Sequence, residues 1–199
     1  MNKTRAKLVA VATEQFAERG FYGVSVAQIS DQLGLTKQAL LHHFGSKEKL
    51  YAEVLQTISE ELMQSINQPG TGESMQAQPE QVFANLCETC LTNSTATQLL
   101  VRELLDNKRR AESARQWYLK EFLASLNQVI LNDARCSGIS ETEAMTIVYQ
   151  TLGAINYFAI SKPTFSRIYD GKTYRAVEKD YAREIASLIK ARLDSITAG

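Results

Sequence analysis

The chain has 199 residues, 44% of them hydrophobic and 22% charged, with 22 Lys and Arg balanced by 22 Asp and Glu. That is enough apolar mass for one domain or two small ones, and a formal charge of zero, taken whole, argues against a nucleic-acid binder, because phosphate contacts need clustered cations. The average conceals an asymmetry: residues 1–50 hold seven Lys and Arg against four Asp and Glu, net +3, and the remainder carries net −3. The opening Met-Asn-Lys-Thr-Arg leads into mixed polar sequence rather than an apolar h-region, and no run approaches a membrane span. Three cysteines, an odd number in a chain too long to need disulfide staples, fit a reducing compartment, so the expected location is cytoplasmic without membrane association.

Helical periodicity dominates. From Thr4 to Arg19 the apolar Leu8, Val11, Ala12 and Phe16 recur at three and four, with Gly20 placed for a left-handed C-cap. Ser25 is positioned to cap a short helix through Val26, Ile29 and Leu33 that Gly34 ends; Thr36 caps another, to about His43. Ser46 opens a longer one, to about Asn67, with Leu50, Val54, Ile58 and Leu62 inward. Pro69 and Pro79 bracket a Gly70-Thr71-Gly72 linker, and Pro163 is read as a further break. Beyond the linker lie an apolar face of Val82, Leu86 and Cys90 and another of Leu119, Phe122, Leu123, Leu126 and Ile130. Two final stripes follow: Ala144, Val148, Thr151, Leu152, Ile155 and Ala159, then Val177, Tyr181, Ile185, Leu188 and Leu193. Without an alternating strand pattern the fold class is all-α.

The segment from Val26 to Phe44 has the spacing of a helix-turn-helix. Ile29, Leu33, Leu35 and Leu40 would pack its two helices, Ser30 would let them approach, and Gly34 would supply the positive φ of the turn. Thr36, Lys37 and Gln38 would then stand at the N-terminus of the second helix, able to reach base edges or phosphates. Framed by Phe16-Ala17-Glu18-Arg19-Gly20-Phe21, Gly23-Val24-Ser25-Val26 and Leu40-Leu41-His42-His43-Phe44-Gly45-Ser46-Lys47-Glu48-Lys49-Leu50, residues 4–55 resemble the DNA-binding head of the TetR/AcrR family of bacterial transcriptional regulators.

The resemblance implies a three-helix head, residues 1–50, joined by a long fourth helix to a helical effector-binding and dimerisation bundle, residues 51–199. It implies that Ser25, His43 and Lys47 hold phosphates, that Gln28 lies near the groove edge, and that Thr36, Lys37 and Gln38 enter the groove. His42 and His43 would gain attraction for phosphate as imidazolium. The family usually has Tyr where this chain has Leu41, so a phosphate-bonding hydroxyl is missing; Leu41 either makes an apolar contact or leaves backbone affinity weaker.

For the body the family implies an effector cavity. Tyr149, Gly153 and Asn156 share a helix face that suits either a cavity wall or a close dimer seam, and Arg102 could hold an anionic effector or pair with a carboxylate. Leu62, Phe83, Cys87 and Trp117 complete the effector candidates. Val148, Leu152, Ile155, Tyr181, Ile185 and Leu188 are the candidates for a homodimer interface. Cys87 and Cys90 form a C-x-x-C without a second pair or a βαβ setting, which favours buried helical cysteines over zinc or redox chemistry. His42 and His43 diverge by ~100° on a helix and lack a third ligand nearby.

The expected function is a homodimeric repressor that leaves a double-stranded operator when a small molecule binds its body. No cofactor or metal is expected. The competing reading is a DNA-scaffolded interaction protein, of nucleoid or cell-division type, that needs no effector. An enzyme is disfavoured, since no nucleophile elbow, Gly-rich phosphate loop or paired-histidine metal motif is present.

Overall fold

Helix ends lie where short polar side chains and glycines can satisfy free backbone groups. The computed structural model describes residues 3–67, 78–106 and 118–197, and their regular structure is all helix. In order these are α1 (Lys3–Arg19), α2 (Val26–Asp31), α3 (Lys37–Phe44), α4 (Lys47–Ile66), α5 (Pro79–Thr92), α6 (Ser94–Asp106), α7 (Lys120–Leu131), a 3-10 turn at Ala134–Cys136, α8 (Glu141–Ile168) and α9 (Gly171–Thr197). The Gly70-Thr71-Gly72 linker and Trp117 lie outside the described residues. Among the described residues no helix is long and apolar enough to cross a membrane.

The contacts gather the chain into two compact units. One lies within Met1–Glu60 and Thr95–Tyr118, the other within Glu61–Ser94 and Leu119–Gly199. The first therefore includes most of α6, a helix the sequence reading passed over. In it Leu8, Ala12 and Phe16 of α1, Ile29 of α2, Leu40 of α3, Leu50 and Val54 of α4 and Leu99 of α6 are fully enclosed. Phe16 and Phe21 both meet the Tyr51 ring edge-on, at 4.9 and 5.0 Å between centroids.

In the second unit α9 packs along α5 and α8, and α8 also packs on α7. Phe83 and Leu86 of α5, Leu126 and Ile130 of α7, Ile155 of α8 and Ile189 of α9 form its centre. Arg135 ties three elements together: it donates to Asp133 beside the 3-10 turn, to Glu80 of α5 at 2.7 Å and to Asp194 of α9 at 3.0 Å. The Arg135 side chain, aided by its backbone N–H, holds the Asp133 carboxyl below the usual carboxylate range.

Two expectations need correction. Pro163 does not break the chain; α8 runs through it to Ile168. A helix-interior proline costs roughly 3 kcal/mol through its missing N–H and its ring. Around it, Phe158 stacks on Tyr181 at 3.9 Å and meets Phe165 edge-on at 5.9 Å, while Phe165 packs against Tyr174 at 5.7 Å. Burial of that aromatic cluster offsets the proline. The actual stop is at Asp170, whose carboxylate accepts from the backbone N–H groups of Lys172 and Thr173, both at 2.9 Å, and so begins α9. Along α9 the buried stripe is Tyr174, Ala182, Ile185, Ile189 and Leu193; Val177 and Leu188 face solvent. The realised register carries the Tyr174 ring, rather than Val177, into the cluster.

Candidate nucleic-acid interface

The interface begins with a reciprocal cap. The Ser25 hydroxyl accepts from the Gln28 backbone N–H at 3.2 Å, and the Gln28 side-chain carbonyl accepts from the Ser25 N–H at 2.7 Å, closing a capping box at the start of α2. Gln28 is thus committed to the cap, although it stays exposed. Gln15 of α1 adds a lateral tie, donating to the Gln28 backbone carbonyl at 3.2 Å and to the Gln32 side chain at 2.7 Å.

α2 ends at Asp31, earlier than the position of Gly34 suggests. Leu33 donates to the Ser30 carbonyl and Gly34 to that of Asp31, both at 3.0 Å, so the last turn tightens before the corner. Gly34 then takes φ +66°, where a Cβ would be strained. Ser30 is fully buried beneath this corner, its hydroxyl bonded to the Ala27 carbonyl at 2.9 Å. Ile29 and Leu40 are fully buried between the two helices, while Leu33 and Leu35 are half-buried.

α3 starts at Thr36, whose hydroxyl accepts from the Ala39 N–H at 3.1 Å. Lys37, Gln38 and His42 are exposed, Leu41 and His43 half-buried. The buried pair Leu40 and Phe44 sits on the opposite side, so the polar residues at the N-terminal end and one flank of α3 are presented outward. Gly45 closes the helix, donating to the Leu41 carbonyl.

α4 opens on Ser46, whose hydroxyl accepts from Lys49 N–H at 3.2 Å. Lys47 is half-buried, with its ammonium 4.3 Å from the centre of the Phe21 ring. Burial pulls its pKa below the usual lysine value, with Glu48 acting weakly the other way. The Glu48 carboxylate is itself held low by its own backbone N–H and by the Ser46 hydroxyl. An incoming phosphate at this helix start would meet one cation and one carboxylate.

Three features were missed from sequence. Arg5 of α1 donates to both oxygens of Glu53 on α4, through Nε at 2.7 Å and through Nη2, and its Nη1 donates to the His43 carbonyl of α3. Its guanidinium also lies 4.4 Å from the Phe44 ring centre. The available signal was its register: Arg5 falls on the same face as Leu8, Val9, Ala12 and Phe16. Arg102 of α6 donates to the Ala17 and Glu18 carbonyls at 3.1 and 3.2 Å, completing the C-terminus of α1, and buried Glu103 accepts from the Tyr51 hydroxyl.

The effector candidates differ in unit and in burial. Arg102 belongs to the first unit; Leu62, Phe83 and Cys87 are closed into the core of the second; Tyr149 is exposed and Asn156 half-buried. Burial pushes the Cys87 thiol up to about 12. An open cleft of about 890 Å³ in the second unit is lined by other residues, among them Asn67, Gln78, Ser125, Gln128 and Asn132. Of the dimer candidates, Val148, Ile155 and Ile185 lie in that unit's own core, Leu152 and Tyr181 are half-buried, and Leu188 is 56% exposed. Met145, Tyr149 and Tyr157 of α8 are also exposed, and nothing lies within 4 Å of where a Cβ on Gly153 would be.

This geometry coincides with what the chain is similar to. Residues 8–54 match the family model of bacterial regulatory proteins of the tetR family. Among curated proteins, the chain is 40% identical over 55 residues to the HTH-type transcriptional repressor KstR2 of Mycobacterium tuberculosis, covering 28% of each chain. It is 34% identical over 67 residues to the HTH-type transcriptional activator FasR of Mycolicibacterium smegmatis, covering 34% of this chain and 31% of that one. The matched stretch thus spans about three-tenths of these relatives' length. Solved structures extend the likeness in fold alone: the ketosteroid transcriptional regulator KstR2 of Mycobacterium tuberculosis superposes with TM-score 0.66 at 19% identity, over 94% of this chain and 95% of that one. The fatty acid degradation regulator FadR of Bacillus halodurans gives 0.69 at 13% identity, over 94% and 96%. The capped helix-turn-helix thus lies inside a segment, residues 8–54, that is similar to the bacterial regulatory proteins of the tetR family, and the all-helical fold is shared with solved structures over nearly the whole length.

Proposed function

We propose that the chain is a DNA-binding transcriptional regulator, with residues 1–50 as its DNA-binding head and 51–199 as its effector and dimerisation body. The observation that carries this is the exposed Thr36-Lys37-Gln38 edge at the N-terminus of α3, held rigidly by caps on both sides and set in the net-positive part of the chain. A helix of this kind enters the major groove, its first residues meeting base edges while flanking caps and cations meet phosphate. Ser25, His43 and Lys47 take the phosphate side. Gln28, Leu41 and His42 line the margin of the footprint.

A head with so few cations binds weakly alone, and a homodimer supplies the second half-site and the gain of linked binding. The exposed apolar residues Met145, Tyr149 and Leu188, with half-buried Leu152 and open Gly153 beside them, suit a seam between two copies better than the buried Val148, Ile155 and Ile185 do. Release by a small molecule in the cytoplasm is the regulatory step we assign to the body. It requires only that the ligand bind a splayed dimer better than the DNA-bound one. The closure of Leu62, Phe83 and Cys87 into the core and the exposure of Tyr149 favour, as second reading, a DNA-scaffolded protein that needs no ligand; a regulator of this kind would occupy many chromosomal sites.

Selection of sites from a randomised duplex library tests the proposal. Enrichment of an inverted repeat bound by a dimer is expected; a folded protein that enriches no sequence would refute it. For the dimer, Tyr149→Glu with Leu188→Glu should give a monomer by light scattering with unchanged helicity. Persistence of the dimer would place the seam elsewhere.

A further inference from the structure

We infer that Arg5 and Glu53 form the positioning pair that sets the recognition helix on the head, so that Arg5 governs sequence discrimination without touching DNA. This rests on the DNA-binding reading above. α3 has only eight residues, and two buried side chains, Leu40 and Phe44, anchor it. Two turns of helix held by a narrow apolar face can still rock about their axis. The His43 carbonyl is among the last of the helix and has no intrahelical partner, and it is this oxygen that the Arg5 guanidinium meets. A cation there also complements the negative end of the helix dipole.

Each nitrogen of the guanidinium makes a hydrogen bond. Nε and Nη2 hold the two oxygens of Glu53, Nη1 holds the His43 carbonyl, and the planar face rests on the Phe44 ring. One rigid fork therefore links α1, α3 and α4, fixing both the tilt and the rotation of α3 relative to the helices that frame it. Glu53 lies on the second turn of α4 and supplies the counter-charge that orients the fork.

The test uses the full chain and two duplexes: the sequence selected by the wild-type protein from a randomised library, and a scrambled version of it. Arg5→Met, Arg5→Lys and Glu53→Gln are compared by fluorescence anisotropy at a temperature where each retains the wild-type helical signal. Arg5→Met and Glu53→Gln should each lower the selected-over-scrambled affinity ratio by about fivefold or more, the loss expected of one disturbed base contact. The double variant should lose little beyond either single one, because the pair acts as a unit. Lysine should not rescue, having no bidentate fork. Glu53→Gln is decisive, since it removes no cation: a preserved ratio in that variant, with Arg5→Met weakening both duplexes alike, would make Arg5 a plain phosphate contact and overturn the inference. Preserved ratios in both, with only a lowered Tm, would reduce the pair to fold stability and overturn it equally. Should Arg5→Met fail to fold, Glu53→Gln decides alone. A wild-type protein that selects no sequence would instead overturn the DNA-binding reading itself.

Discussion

Lys37 and Lys47 are both cations of the head, and the structure separates them. Lys37 is exposed at the first position of α3, whereas Lys47 is half-buried at the start of α4 with its ammonium over the Phe21 ring. Lys37→Ala should therefore remove a base contact, about 1–3 kcal/mol per half-site, or about 2–6 kcal/mol for a dimer. Even the low end is roughly thirtyfold on the selected sequence, with relaxed discrimination at the contacted position. Lys47→Ala should remove one phosphate contact per protomer. Each contributes about 0.9 to the slope of log affinity against log salt, so the dimer's slope should fall by about 1.8 while selected and scrambled duplexes weaken alike. Loss of the ammonium from the Phe21 ring also removes roughly 0.5–1 kcal/mol from the head itself, so both variants are compared well below their Tm. Anisotropy titrations over a range of KCl concentrations on both duplexes give the two quantities. Equal slopes and equal losses for the two variants would refute the assignment of base and phosphate roles.

Gly23→Ala should destabilise the first unit: a Cβ there would stand 2.3 Å from the Arg19 carbonyl oxygen, and relieving such a clash costs roughly 1–3 kcal/mol, read as a lower Tm. An unchanged Tm would mean the α1–α2 corner can open freely. Arg135→Ala leaves Asp133, Glu80 and Asp194 facing one another; because the cluster is part-solvated, about 1–3 kcal/mol is expected, below the fully buried range. The Asp133 carboxyl is held below its ordinary value, so this stabilisation is complete above the usual carboxylate range and is lost as pH falls through the depressed value. The gap between wild type and variant in denaturant melts should therefore close toward acid, and a gap constant with pH would contradict the network. Cys87, with its thiol near 12, should react with an aromatic disulfide reagent roughly a thousandfold more slowly than a free thiol at neutral pH, and fully once unfolded. Fast labelling of Cys87 in the native protein would reopen a thiol-sensing role.

What was legible in the sequence was what neighbours in the chain decide. Ser25, Thr36 and Ser46 each cap the helix that follows by accepting from the backbone N–H three residues ahead, and Gly20, Gly34 and Gly45 each take a positive φ at a corner, so the helix-turn-helix can be placed to within a few residues. What was illegible depends on distant partners. α6 was hidden because its buried face carries the carboxylate of Glu103, whose partner Tyr51 lies 52 residues away. Arg102 offered two readings as a charged side chain, and it bonds instead to backbone carbonyls 84 and 85 residues earlier. Pro163 carries a strong local stop signal that a non-local aromatic cluster overrides. The α9 register turned on the same cluster, where the buried Tyr174 ring stacks on Phe158 while Val177 is exposed.

The central claim is that α3 reads base edges from the major groove. Methylation interference on the selected site tests it most directly, because guanine N7 lies in the major groove and adenine N3 in the minor. Interference is expected at guanine N7 in two clusters related by the two-fold symmetry of a bound dimer, with half-site centres one helical turn, ~34–36 Å, or a longer spacing apart. Interference confined to adenine N3, or none at any base of a site the protein binds, would contradict it.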